Sequence, residues 1–85
     1  MTAPAPEAIA RTLTPGQRRA VLAMSAEWQD ATGWLRYERD GVQAAYKVRD
    51  FGLSQAGVRN GAPIHRLTPL GLAVQARLRE VNDAG

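Results

Sequence analysis

The chain of 85 residues contains no cysteine and a single histidine, His65. Disulfides and thiolate or histidine-rich metal sites are therefore excluded, and we expect no cofactor. No apolar run is long enough to cross a bilayer and no signal-peptide pattern opens the chain, so we expect a cytoplasmic protein without a membrane partner. A chain of this length forms one domain and needs nearly all of its apolar side chains in one core.

Groupings that carry catalysis are also missing. Without cysteine there is no thiol nucleophile, and His65 lacks the Asp and Ser pattern of a catalytic triad. The spacing of Gly52, Gly57 and Gly61 matches neither a phosphate-binding loop nor a dinucleotide fingerprint. We therefore expect that the protein is not an enzyme.

Acidic residues are scarce in the second half of the chain. The formal net charge is +3 and the isoelectric point is near 10.2. From Lys47 to Arg79 the only acidic residue is Asp50, whereas the basic residues there number six. An excess of this kind is typical of a surface that meets nucleic acid, but an ordinary solvated face has the same composition.

The chain opens with a segment rich in alanine and proline. This composition predicts a flexible N-terminal arm over residues 1–12, followed by one domain over residues 13–82. Thr14 as a cap and Pro15 in the first helical position predict a helix that ends near residues 27–29. We expect the large aromatic side chains that follow to lie in the core or half-buried, because a domain this small needs them there. These aromatic residues are Trp28, Trp34, Tyr37 and Tyr46.

The middle of the chain allows two interpretations. Residues 34–38 and 42–48 can pair as a β-hairpin around the turn signal Asp40-Gly41. Alternatively, residues 40–51 form a helix, which we favour because it separates polar from apolar side chains. The polar face would then consist of Arg39, Gln43, Lys47 and Asp50.

Residues 53–68 also allow two interpretations, and the first is a helix-turn-helix. Ser54 would cap a short recognition helix over residues 55–60. Gly57 would then lie in the helix interior, at a cost of about 1 kcal/mol relative to alanine. Pro63 follows almost at once and pushes the residue before it away from helical angles. Both features count against this helix.

The second interpretation is a β-hairpin of residues 53–58 and 64–68. Asn60-Gly61 supplies the positive φ angles that a tight turn needs, so we favour the hairpin. We expect His65 to lie on the polar, exposed side of the second strand. A last helix then begins with Thr68 and Pro69 and runs to about Val81. Its apolar stripe consists of Leu70, Val74, Leu78 and Val81.

In the order helix, hairpin, helix and in two local strings, the chain resembles the winged helix-turn-helix family. Residues 51–53 look like the exit from a recognition helix into the first wing strand, and residues 64–71 look like a second wing strand that leads into the last helix. Small bacterial and phage-type members often carry a Leu-Thr-Pro-x-Gly junction, which residues 67–71 match. The resemblance covers roughly residues 14–81. It implies an α+β fold that is mainly helical, with a hairpin wing in the C-terminal half, and a short second helix over residues 30–38.

The resemblance further implies that the protein binds double-stranded DNA as a small bacterial or phage-type transcription regulator. Such proteins commonly bind two half-sites as homodimers. The side-chain types suit the role, because Gln pairs with adenine and Arg and Lys reach guanine edges or phosphates. The candidate DNA-binding residues are Arg39, Gln43, Lys47, Arg59, Asn60 and Arg66. The alternative is a protein-binding module, such as a phage-type inhibitor or adaptor that docks on a host protein complex.

Overall fold

The computed structural model describes the backbone of residues 5–32, 34 and 39–84, and their side chains except those of residues 39–43 and 81–84. This part of the chain forms an α+β arrangement of helices around a three-stranded antiparallel sheet. The helices are α1 (Pro6–Thr12), α2 (Pro15–Ala23), α3 (Arg39–Asp50) and α4 (Pro69–Ala84), and the strands are β1 (Gln29–Asp30), β2 (Ser54–Arg59) and β3 (Ala62–Leu67). The strand order is β1-β3-β2, which is compatible with the layout expected from the sequence.

One core holds these elements together. It forms where α2 packs on α3 and α4, and where α3 and α4 meet the sheet. The largest fully buried side chains are those of Val21, Val48, Leu53 and Val74. Trp34 is partly buried against this core, and Tyr37 lies outside the described residues. The predicted stripe of the last helix is confirmed at Val74 and Leu78, which are buried, and at Leu70, which packs against them.

The expected flexible arm is wrong for residues 6–12. These residues form α1, which packs on α4 and buries Ala10, and the buried Leu13 follows directly. Pro6 stands in the first turn of α1, where its missing N–H would have had no helical partner, so this proline starts the helix instead of blocking it. Residues 1–4 lie outside the described residues.

The start of α2 is as predicted, but its end is not. Thr14 caps the helix by accepting a hydrogen bond from the Gln17 backbone N–H, and the Gln17 side chain accepts one in return from the Thr14 N–H. The helix ends at Ala23, several residues earlier than expected. Trp28 therefore lies outside the helix and is free to pack elsewhere.

A buried side chain of α4 satisfies the end of α2. Gln75 is 6% exposed, and its Nε2 donates to the carbonyl oxygens of Val21 at 2.9 Å and Met24 at 2.7 Å. Carbonyls at the end of a helix have no partner within it, so a buried helix end needs a donor from elsewhere. Gln75 thus fixes α4 against α2.

The helix interpretation of residues 40–51 is confirmed, and the rival hairpin is wrong. Helix α3 ends in a Schellman motif, in which Gly52 has a φ of +79°. The Gly52 N–H donates to the Arg49 carbonyl at 2.9 Å, and the Leu53 N–H donates to the Val48 carbonyl at 3.1 Å. Both Leu53 and Val48 are fully buried, so the turn is anchored in the core. The short second helix was expected over residues 30–38, but Asp30 belongs to β1, and residues 33 and 35–38 lie outside the described residues.

The first turn of α4 packs directly against the turn at Gly52 and Leu53. The Thr68 hydroxyl donates to the Gly52 carbonyl at 2.6 Å and accepts from the Gly71 N–H at 3.1 Å, and the Thr68 N–H donates to the Leu53 carbonyl at 3.0 Å. A Cβ on Gly71 would lie 1.9 Å from the Leu53 oxygen. Steric contact and hydrogen bonding therefore explain why Thr68 and Gly71 stand in the Leu-Thr-Pro-Leu-Gly string. We call the group of Gly52, Leu53, Thr68 and Gly71 the junction.

The predicted hairpin is confirmed, with a tighter turn than expected. Arg59 pairs with Ala62, so only Asn60 and Gly61 form the loop, with φ angles of 52° and 78°. Positive φ at both positions is the signature of a type I′ turn. Pro63 lies within β3, where its carbonyl accepts from the Ala31 N–H at 2.9 Å instead of from β2.

The expected exposure of His65 is wrong. The side chain is 4% exposed and lies in the central strand, opposite Ala56 and beside Gln29 of β1. Alternation along β3 places His65 on the same face as the buried Leu67, whereas Ile64 shares the other face with Arg66. Both faces are covered at this point, so the polar character of His65 did not predict its exposure.

Candidate nucleic-acid interface

Helix α3 presents a polar face that the fold does not bury. Ala44, Ala45 and Val48 are buried and mark its core side. At 100° per residue, Tyr46 and Asp50 lie opposite this side, and Lys47 and Arg49 lie on its flanks. The described side chains from 46 to 50, apart from Val48, are all exposed.

An aromatic side chain occupies the centre of this face. Tyr46 was expected in the core or half-buried, and it is 40% exposed, so the core placement is wrong. The Arg49 guanidinium lies over its ring, 4.9 Å from the centroid. Stacking of this kind holds the arginine along the helix surface and leaves its donors directed to solvent. Phe51, directly after the helix, is 44% exposed.

The hairpin tip is the second exposed element. Arg59, Asn60 and Gly61 are exposed, and Val58 is 74% exposed because β2 extends beyond the core at this end. Only residues 51–53 connect α3 to β2, and the two elements pack on each other. The last turn of α3 and the hairpin are therefore neighbours.

The outer face of the sheet carries a stacked cluster instead of a free arginine. The Arg66 guanidinium lies over the Trp28 ring at 4.5 Å, and its Nε donates to Gln55 Oε1 at 2.9 Å. The Trp28 ring lies 3.5 Å from the position that a Cβ on Gly57 would take. We call Trp28, Gln55 and Arg66 the outer cluster. It stiffens the base of the hairpin, and it gives Trp28 a place other than the expected core.

The candidate residues proposed from the sequence fall into three groups in the structure. Lys47, Arg59 and Asn60 are exposed on α3 and the hairpin tip, whereas Arg66 is engaged in the outer cluster. The side chains of Arg39 and Gln43 lie outside the described residues. Sequence reasoning missed Tyr46 and Arg49 as members of the surface. The signal was available, because on a helical wheel Tyr46 faces away from Ala44, Ala45 and Val48, and Arg49 lies on the flank next to Tyr46.

The charge of this surface is predominantly positive. The described side chains of α3 and the hairpin that carry charge are Lys47, Arg49, Asp50, Arg59 and Arg66. Asp50 is thus the single acid, and it lies on the exposed stripe with Tyr46. The surface is therefore positive at its edges and carries one negative group on its central stripe.

His65 does not add to this positive surface at neutral pH. Its burial lowers the pKa of the imidazole, and the nearby Asp30 carboxylate opposes this effect only in part. Hydrogen bonds from Thr32 lower the pKa of Asp30, with the Thr32 hydroxyl donating to Oδ1 at 2.6 Å. A neutral, buried His65 is not placed to contact phosphate.

No group of three His, Cys, Asp or Glu side chains in the described part of the chain is placed to hold a metal ion. Among the described helices, none combines the length and the apolar character needed to cross a membrane. Comparison of the chain with protein-family models, curated proteins and solved structures found no match.

Proposed function

We propose that the protein is a winged-helix protein that binds double-stranded DNA through α3 and the β2–β3 hairpin, as a small bacterial or phage-type transcription regulator. One observation carries the proposal. Lys47, Arg49 and Arg59 are exposed on two adjacent elements, and none of them forms an ion pair with another described residue. Arg49 stacks on the Tyr46 ring of the same helix, but no described acid neutralises any of the three charges, so all three are available to a polyanion.

The shapes of the two elements support this assignment. An α-helix fits the major groove of B-DNA, which is about 12 Å wide. Lys47 and Arg49 on the flanks of α3 would reach phosphates on the two sides of the groove, and Tyr46 between them would face the base edges. The hairpin tip with Arg59 and Asn60 would contact the adjacent backbone or minor groove. The outer cluster keeps the hairpin in a fixed orientation for this contact.

The first test is the affinity of the purified protein for random duplex DNA at two salt concentrations. We expect a Kd of about 10⁻⁴–10⁻⁶ M at physiological salt that weakens steeply as salt rises. Lys47→Ala, Arg49→Ala and Arg59→Ala should each weaken binding. Arg79→Ala removes the same charge from α4 and serves as the matched control. Absence of binding at low salt would contradict the proposal.

A substitution at Asp50 tests the proposal in the opposite direction, because it should strengthen DNA binding. Asp50→Asn removes the only acid of the described α3 face while keeping its size and helix position. We expect tighter DNA binding, because a carboxylate on the face that meets the groove repels phosphate. Asp30→Asn removes an exposed carboxylate near β1 and should leave DNA affinity unchanged. Equal effects of the two variants would show only a dependence on net charge.

Protein docking is a second candidate, in the form of a phage-type inhibitor or adaptor. Exposed apolar side chains favour it, above all Val58 and Phe51. A protein interface anchored by such groups responds weakly to salt and loses affinity when an anchor is truncated. We therefore expect Phe51→Ser and Val58→Ser to abolish capture of a protein partner if this candidate is correct. Lys47→Ala would then matter less than either.

A further inference from the structure

A cleft lies on the side of the molecule formed by α1, α2 and α4. Its volume is about 460 Å³, within the range of about 300–1,000 Å³ that is common for small-molecule sites. Two buried apolar residues, Ala10 and Leu78, form part of its wall. The other described residues that line it are Glu7, Arg11, Arg18, Arg77 and Glu80. The cleft thus combines an apolar patch with a charged rim.

The guanidinium groups of the rim outnumber their carboxylate partners. Among the described residues, the only ion pair joins Arg77 to Glu80, at 3.1 Å. Arg18 uses its Nε to donate to the Leu13 carbonyl at 3.2 Å, which keeps the side chain oriented and leaves its two terminal amino groups for another acceptor. The side chains of Arg11 and Glu7 make no hydrogen bond or ion pair with another described residue. The rim groups outside this ion pair are thus two cations, Arg11 and Arg18, and one anion, Glu7.

We propose that this cleft binds a small organic carboxylate. The carboxylate would accept hydrogen bonds from the Arg18 and Arg11 guanidinium groups, whose planar forks match its two oxygens. The apolar body of the ligand would cover Ala10 and Leu78. An anion that is polar all round, such as phosphate, would leave this apolar patch uncovered and bind more weakly. The cleft lies on helices other than α3, so this site goes beyond the proposed DNA contact.

Such a ligand would connect α1 to the rest of the domain. Arg11 belongs to α1 and Arg18 to α2, while Leu78 belongs to α4. A molecule held by all three elements binds only when α1 is packed in place. Binding should therefore raise the thermal unfolding temperature and slow amide hydrogen exchange at Ala10.

The test uses the full chain and benzoate as the probe, followed by NMR. We expect saturable shifts of the Ala10 methyl and the Arg18 Nε–H signals. Benzyl alcohol, which lacks the charge, and inorganic phosphate, which lacks the apolar body, should each bind at least about tenfold more weakly. Arg18→Gln should weaken benzoate binding about tenfold, and Arg11→Gln provides a second variant. Arg79→Gln, which removes a charge outside the described lining, should leave the affinity unchanged.

Three results would overturn the proposal. The first is a set of shifts that grow in proportion to benzoate without saturation. The second is equal binding of phosphate and benzoate, which would show attraction by charge alone. The third is a dimer in sedimentation that covers the cleft and shows no benzoate shifts, because a second copy of the chain would then be the occupant.

Discussion

The junction between α3 and α4 and the exposed surface of α3 with the hairpin tip lie close together in the chain, yet they are determined in different ways. At the junction, Gly52, Thr68 and Gly71 each have a contact or a φ angle that few other residue types would allow. On the exposed surface, the side chains of Lys47 and Arg59 make no hydrogen bond or ion pair with another described residue. The fold thus dictates the residue types of the first region, whereas it places no such constraint on those of the second.

This difference gives a rule for interpreting substitutions. A change at the junction should lower the free energy of unfolding, and any loss of binding would follow from that. A change on the exposed surface should alter binding while stability stays constant. The two regions can therefore be separated by measuring both quantities for each variant.

The largest expected effect is that of Gly71→Ala. The added Cβ would meet the Leu53 carbonyl oxygen at 1.9 Å, so the backbone must move, at a cost of about 3 kcal/mol. Gly16→Ala is the matched control, because a Cβ there would meet Ala44 at an ordinary 3.8 Å. We expect this control to stabilise the protein by about 0.5 kcal/mol. Urea unfolding measures both, and a neutral Gly71→Ala would contradict the close crossing.

Gln75→Met should have the next largest effect. Methionine has a similar shape but cannot donate to the carbonyls of Val21 and Met24, which remain buried at the end of α2. We expect a loss of about 2 kcal/mol in the free energy of unfolding. Gln55→Met removes a glutamine from the exposed outer cluster and should cost much less. Equal losses for the two variants would show that Gln75 does not fix α4 to α2.

Gly52→Ala should cost less again, about 1 kcal/mol. A residue with a Cβ is strained at a φ of +79°, although nothing lies within 4 Å of the added atom. Gly52→Asn should recover part of the loss, because asparagine tolerates left-handed angles better than alanine does. Thermal unfolding distinguishes the two variants. An asparagine variant no more stable than the alanine variant would mean that the backbone angle is not the cause.

The smallest expected change in stability concerns pH and His65. The folded state lowers the pKa of this imidazole by burial, so the unfolded chain binds the proton more tightly. Stability should therefore be complete above the unfolded pKa of about 6.5 and fall as the pH drops below it. His65→Gln should reduce the difference in urea midpoint between about pH 7.5 and about pH 5.5. An unchanged difference would assign the pH dependence to other groups.

Part of the fold was predictable from residues that are adjacent in sequence. Thr68 with Pro69 marked the start of α4, and Asn60 with Gly61 marked the hairpin turn, because caps and tight turns depend on residues adjacent in sequence. The features that were wrongly predicted depend on distant neighbours. The helix at the alanine-rich start of the chain packs on α4 and buries Ala10, and the central position of β3 in the sheet buries His65.

The candidate site was predictable to a similar degree. Lys47, Arg59 and Asn60 were identified because helix and turn patterns place them on the surface. Arg66 was assigned to the same surface because it lies on the hairpin, but Trp28, which is 38 positions away, and Gln55 engage it. Tyr46 was expected in the core or half-buried because of its residue type, although its helical position faces solvent. Position in the helix was the better guide.

The most direct test of the account is the salt dependence of DNA binding for a triple variant, Lys47→Ala, Arg49→Ala and Arg59→Ala. We predict that its unfolding free energy stays within about 0.5 kcal/mol of that of the parent chain. The slope of log K against log salt should fall by about one unit for each lost phosphate contact. A parent-like slope in this triple variant, at unchanged stability, would contradict the claim that this surface binds DNA.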